Sequence, residues 1–301
     1  MSIIFIDIQT SLGKKIENNL KLEKLFKWPN GKILEKIGIK KRYLSKKNQT
    51  TSSLAKEAVK KITKKNKMSN VRYIVSVTNT PSKGFPSLAH ELAYFLNDNK
   101  KFMCIGINAG CTGYVDALFI AYKLLKPNEE ALIVTSDTYS KYIDPKNKSI
   151  RPIFSDGASC TLLRCATKNG WVLKDKFFFT EKNTLDYLDF DHKKIRMDGP
   201  EVLSFAIRNV VKSILKMIKK EKTLIFAHQA GKVILNVIKS KISSKNFFPE
   251  NYQELGNLVS TSIPMLIKEN FHLFKKNKRI LISGFGVGLS HSHILIKKNK
   301  L

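Results

Sequence analysis

Apolar runs of strand length recur along the chain at residues 3–8, 73–77, 103–107, 131–135, 158–163, 223–226 and 279–283. Between many of them lie longer segments in which apolar residues return every three to four positions, at 51–62, 87–96, 112–125, 201–218, 232–239 and 257–268. The short runs predict strands and the longer ones amphipathic helices. Strands that are apolar throughout must be covered on both faces, so their alternation with helices predicts a layered α/β fold. The stretch from about 167 to 196, with its FFF run and weak periodicity, reads as an extended strand plus a loop joining two halves. Each half closes on a glycine-bearing turn that feeds a last strand, SDGASCTLL at 155–163 and SGFGVGLSHSHILI at 283–296. The expected division is 1–166 and 167–301.

Composition narrows the class. With 54 basic and 24 acidic residues the 301-residue chain carries a formal charge of +30, yet it is 43% apolar, which excludes a disordered polycation. No apolar run approaches the roughly 18 residues of a membrane span, and Asp7 interrupts the opening IIFIDI before a signal-peptide core can form. Cys104, Cys111, Cys160 and Cys165 lack paired zinc spacings and read as reduced thiols, so no metal is expected and the cytoplasm is the expected compartment. The lysines are spread as pairs along the whole chain rather than gathered on one element with interleaved aromatics. That pattern suits a solvated surface, and nucleic acid is not the expected partner. Such a field still steers anions, phosphorylated cofactors and acidic carrier proteins among them.

The sharpest local feature is MCIGINAGCTGYVDALFIAYKLL, which places Cys111 between the end of a strand and the start of a long helix. Unpaired amides and the helix dipole there favour an anion, so the thiol pKa is expected to fall below about 8.5. Small neighbours (Ala109, Gly110, Gly113) would let a carbonyl approach. Cys111 is then either a nucleophile with amide donors beside it or a buried structural thiol. His228, in AHQAGKVILNVI, stands at another strand-to-helix corner, and Asn257, in ELGNLVSTSIPMLI, follows a glycine at a helix opening. Each alone has a structural explanation. Together with the GFGVG turn they can form one Cys/His/Asn site.

The ordered set of segments resembles the 3-oxoacyl-(acyl-carrier-protein) synthase III family of the thiolase superfamily. KIGIKKRYL and TTSSLAKEAVKKI resemble its N-terminal Thr-Gly-Ile-Arg segment and following helix. TNTPSKGFPSLA resembles the gate segment ending in Phe-Pro-Ser, and NAGCTGYVDAL the nucleophile segment. IFSDGASCTLL, RMDGPEV, AHQA, YQELGN and SGFGVGLS follow in the family's order. The resemblance implies a five-layered α/β/α/β/α fold built from two similar halves and a homodimer. It implies Cys111 as the nucleophile taking an acyl group from acyl-CoA, and His228 and Asn257 as the pair that holds a malonyl thioester, delivered as malonyl-ACP, while it loses carbon dioxide. Backbone amides of Cys111 and Val287 would form the oxyanion hole. Phe85 would border the acyl pocket, and Lys40, Arg42 and Lys148 would meet the CoA nucleotide or carrier. No permanently bound cofactor is implied.

Several positions depart from the family pattern. HQAG ends in Gly231 where asparagine is usual, His291 replaces an aromatic residue, Lys40 replaces an arginine, and Ser155 replaces a glycine before Asp156. These leave the three chemical residues intact and point to a specialised acyl pathway. One rival is a thiolase-like acyltransferase that uses His228 as general base toward a hydroxyl or amine. Others are a catalytically silent scaffold and a basic nucleic-acid-binding protein. A papain-like protease shares the order Cys, His, Asn but not its local cysteine motif.

Overall fold

The strands are apolar on both faces, and the two faces feed different cores. In the computed structural model, which describes residues 1–96, 101–191 and 193–299, the principal strands are β1 Ser2–Leu12, β2 Lys15–Asn18, β3 Lys41–Leu44, β4 Val71–Val77, β5 Met103–Ile107, β6 Glu130–Asp137 and β7 Gly157–Ala166. They continue with β8 Trp171–Thr180, β9 Leu188–Phe190, β10 Ile195–Met197, β11 Leu224–Ala227, β12 Arg279–Gly286 and β13 Ser290–Lys298. Nine of them run in the order β11-β12-β13-β8-β1-β7-β6-β4-β5, while β2/β3 and β9/β10 form small separate ribbons. The β4/β5, β4/β6 and β11/β12 pairs are parallel. The β1–β8 contact is the single pair Ile3–Trp171, so the long sheet is joined there as two halves.

Alternation along each strand assigns its side chains to layers. On β6, Ala131 and Ile133 enter a central core, whereas Leu132 and Val134 face an outer one. On β12, Ile280 and Ile282 enter the same central core, and Leu281 faces a second outer one. Tyr114 and Leu118 of helix Gly113–Leu124 and Leu266 of helix Ser262–Glu269 fill the centre, between the two sheet halves. Helices Thr51–Thr63 and Leu88–Leu96 cover the first half outside, and helices Gly199–Phe205, Val211–Ile218 and Lys232–Lys241 cover the second. The result is the α/β/α/β/α stack expected from the sequence.

Local differences are informative. The helix expected at 201–218 starts at Gly199, with Asp198 accepting from the Glu201 amide (3.0 Å) and a proline in its first turn. It is then interrupted by a π-helical turn over Ala206–Val210. Asn257 lies not in a helix but in the turn before the 3-10 segment Val259–Thr261. No helix among the described residues is long and apolar enough to cross a membrane.

Candidate functional site

Three chain reversals bring Cys111, His228 and Asn257 to one place. Strand β5 ends at Ile107, and Cys111 sits in the 3-10 turn Gly110–Thr112 that leads into helix Gly113–Leu124. His228 follows β11, and its amide donates to the Ser283 carbonyl (2.8 Å), so the parallel ladder with β12 fixes where the ring emerges. The Asn257 backbone is held by two bonds, its N–H to the Ile153 carbonyl (2.9 Å) and its carbonyl from the Ser155 amide (2.8 Å). Its side-chain Oδ1 accepts from the Val259 amide (2.8 Å), which leaves Nδ2 facing His228 Nε2 at 3.4 Å. All three residues line one cavity of about 210 Å³, whose apolar walls include Phe154, Leu188, Met197, Val202 and Phe285.

The backbone of β12 passes directly under the sulfur. Gly286 has φ +148°, and a Cβ there would stand 3.1 Å from Cys111 Sγ, so both conformation and space call for glycine. Next to it, the Val287 and Cys111 amides hydrogen-bond toward the sulfur. Those amides pull the thiol pKa down, but burial of a residue only 3% exposed, reinforced by the Asp137 charge, pushes it up to about 12. The expected drop below 8.5 is therefore corrected: desolvation outweighs the helix terminus. Burial likewise drives the His228 pKa down to about 3, only partly offset by the Val259 backbone, so the ring is neutral.

Val287 presents its amide at the sulfur, while the other expected site residues fall elsewhere. Phe85 is 89% exposed and lines neither this cavity nor the one beside it. Lys40 is exposed and paired with Glu254 at 2.8 Å, and Lys148 rests over the Phe26 ring at 5.8 Å. Arg42 needs correction as a surface cation. It is 1% exposed, with Nε on Asn19 Oδ1 (3.0 Å), Nη1 on the Arg151 carbonyl and Nη2 on the Glu17 carboxylate. A buried guanidinium must be satisfied inside the protein, and each of its three nitrogens makes a bond there, while the residue lines a separate cavity with Glu17 and Arg151. The cations that do line the Cys111 cavity are Lys36 and Lys232. Both lie at segments already singled out, Lys36 opening KIGIK and Lys232 following AHQAG.

Two departures are also resolved. Gly231 adopts φ +128°, a conformation that an asparagine would resist, and lines the cavity without a side chain. His291 does not line it. The ring is buried on β13, stacked on Phe177 (centroids 5.3 Å, 6°), with Nδ1 2.9 Å from His293 Nε2. Sequence reasoning missed Asp137, which is fully buried and accepts from the Asn79 amide (2.8 Å), Thr78 Oγ1 (3.2 Å) and Ser260 Oγ. Among the described residues no group of three or more His, Cys, Asp or Glu side chains could hold a metal ion.

Comparison with known proteins identifies the family. Residues 105–179 match the family model of 3-oxoacyl-(acyl-carrier-protein) synthase III, and residues 216–298 match the model of its C-terminal part. The chain is 31% identical to beta-ketoacyl-(acyl-carrier-protein) synthase III of Streptococcus agalactiae, over 88% of this chain and 90% of that protein. It is 28% identical to the same enzyme of Clostridium acetobutylicum, over 99% of each. The crystal structure of 3-oxoacyl-(acyl-carrier-protein) synthase III from Aquifex aeolicus superposes with a TM-score of 0.87 at 26% identity, covering 98% of this chain and 99% of that one. The chain belongs to the 3-oxoacyl-(acyl-carrier-protein) synthase III family, the condensing enzymes of the thiolase superfamily.

Proposed function

We propose that Cys111 takes an acyl group from acyl-CoA and that His228 and Asn257 then promote decarboxylative condensation with malonyl-ACP. In the first half-reaction the sulfur attacks the thioester carbonyl, the Cys111 and Val287 amides hold the developing oxyanion, and the CoA thiolate leaves and takes up the cysteine proton. In the second, the malonyl C–C bond breaks, carbon dioxide departs, and its electron pair forms an enolate. The enolate carbon attacks the acyl-cysteine carbonyl, releasing the 3-oxoacyl product and returning the sulfur as thiolate to be reprotonated. The observation that carries this reading is one cavity holding the sulfur, two amides aimed at it, and a neutral imidazole beside a carboxamide N–H. Neutral donors suit an enolate oxygen. A ring whose pKa lies near 3 is a weak base, which favours condensation over the rival transfer to a hydroxyl or amine with His228 as general base.

Lys36 and Lys232, lining the same cavity, would meet the anionic part of the incoming thioester, and the +30 charge would steer an acidic carrier toward it. The halves 1–166 and 167–301 would divide the work, the first supplying the nucleophile and the second the two donors. The enzyme would act as a homodimer through β5, the edge strand of the sheet, where Met103 is exposed beside the exposed Tyr94 of helix Leu88–Leu96. Pairing there would allow the partner subunit's Phe85 to reach the acyl end of the site. Intact-protein mass spectrometry tests the reading: acyl-CoA should add one acyl mass to the native chain and none to Cys111→Ser. His228→Ala and Asn257→Ala should still acylate yet release carbon dioxide from the malonyl thioester at least about 100-fold more slowly. Labelling that survives Cys111→Ser would end the assignment.

A further inference from the structure

A second cavity, of about 290 Å³, adjoins the first. Leu188 lines both, and Val287, whose amide addresses the Cys111 sulfur, also lines the second. Its lining divides chemically. Leu185, Leu188 and Phe190 are apolar, Asp189 is engaged by Arg196 (Nε to Oδ1, 3.0 Å), and Asn79, Asn108 and Tyr139 are linked in a hydrogen-bonded relay. The Tyr139 hydroxyl, on a residue only 3% exposed, donates to Asn79 Oδ1 (2.9 Å), and Asn79 Nδ2 donates to Asn108 Oδ1. Asn79 is itself anchored, its backbone amide on the Asp137 carboxylate at 2.8 Å. The relay lies against the nucleophile turn, since a Cβ at Gly110 would run into Asn79 Oδ1 and Val287 Cγ2. Burial raises the Tyr139 phenol pKa well above 10, and the nearby Asp137 carboxylate adds to it, so the hydroxyl keeps its proton.

The relay does not exhaust its own capacity. Within it the Tyr139 oxygen keeps acceptor lone pairs, and Asn108 keeps its amide hydrogens. An unsubstituted hydrocarbon chain entering this space would strip water from those groups and return nothing, whereas a hydroxyl or carbonyl on the chain would replace the lost hydrogen bonds. Sites built to bond a substrate hydroxyl reject the analogue that lacks it far more strongly than an apolar pocket rejects an extra hydroxyl. We propose that the second cavity receives the acyl end of the thioester, and that Tyr139, Asn79 and Asn108 make it select short acyl groups bearing a hydrogen-bonding substituent, such as 3-hydroxyacyl, over unsubstituted chains of equal length. The proposal rests on the reading of Cys111 as the acylated residue.

The test is the rate of acyl-enzyme formation, followed by intact-protein mass, with acetyl-, butyryl-, hexanoyl- and 3-hydroxybutyryl-CoA, each normalised to acetyl-CoA. For the native chain 3-hydroxybutyryl-CoA should react at least roughly tenfold faster than butyryl-CoA, and hexanoyl-CoA slowest. Tyr139→Phe keeps the ring and removes the hydroxyl, and Asn108→Ala removes the exposed carboxamide at the end of the relay. Each should reduce the preference to within about threefold. Equal native rates for butyryl- and 3-hydroxybutyryl-CoA, or a preference that survives both substitutions, would overturn the proposal while leaving the acyl-transfer reading intact. Acylation by none of the four thioesters would overturn the acyl-transfer reading and this proposal with it.

Discussion

At Cys111, burial and hydrogen bonding pull in opposite directions, and burial wins. Two amides address the sulfur, yet the thiol pKa lies near 12 because the residue is sealed in and the Asp137 carboxylate is close enough to oppose a second negative charge. The resting site therefore holds a protonated thiol, and in the proposed acyl transfer its proton must leave with the departing CoA sulfur. Removing the negative charge should lower the thiol pKa while leaving the desolvation in place. Asp137→Asn is thus expected to shift the pH midpoint of Cys111 alkylation by iodoacetamide downward, by about one unit. A midpoint that stays fixed or rises would show that Asp137 acts on the site only as a structural acceptor for Asn79 and Ser260. Gly286 carries a second expectation. Alanine there would need both a left-handed-region φ of +148° and a methyl 3.1 Å from the sulfur. Gly286→Ala should therefore reduce acylation at least about 100-fold at a far smaller cost in kcat-independent properties such as far-UV circular dichroism.

Among the elements, β13 carries chemistry that the site does not use. His291 and His293 lie two residues apart, so they project from the same face of the strand. Their rings meet at 2.9 Å, and Ser213 Oγ sits 2.7 Å from His293 Nε2. Burial lowers the pKa of both, that of His291 to about 4, against an ordinary value near 6.5. The sign follows. Below pH 6.5 the unfolded chain binds protons that the folded chain refuses, so stability is lost as pH falls from about 6.5 toward 4. His291→Phe preserves the stack on Phe177 and removes one of these groups. Its acid-unfolding midpoint, followed by circular dichroism at constant temperature, should fall by about half a pH unit, and an unchanged midpoint would exclude the pair as a source of acid sensitivity. The strand itself was legible in HILI, but the pairing of its rings was not, because it depends on Phe177 of β8 and Ser213 of a helix far away in sequence. The same limit explains Arg42. The four-residue β3 places it opposite Glu17 of β2, and nothing within KIGIKKRYL says which of its cations turns inward.

For the whole molecule, a layered α/β fold could be read from the alternation of apolar strands and helices, the five-layer order from the resemblance to the family, and the three site residues from polar side chains at element ends. The closing of the site could not, since β12 reaches the Cys111 turn from some 170 residues away along the chain. The sheet also bears on assembly. β5 ends the strand order, pairs with β4 on one side only among the described residues, and leaves Met103 exposed, with Tyr94 exposed on the adjoining helix Leu88–Leu96. An apolar, uncharged edge strand invites a second strand, and proteins that do not use such an edge usually blunt it with charge or proline. If two copies join there, the mass in solution should be twice 34.3 kDa. Met103→Asp combined with Tyr94→Asp introduces charge where the single protomer has only solvent, so its melting temperature should move by no more than about 2 °C once dissociation is allowed for. Sedimentation should then give 34.3 kDa, and acylation of Cys111 should fall in parallel if the partner subunit's Phe85 completes the acyl end. A variant that remains dimeric would move the interface away from β5, and a monomer that acylates at the native rate would show that each site is complete within one chain.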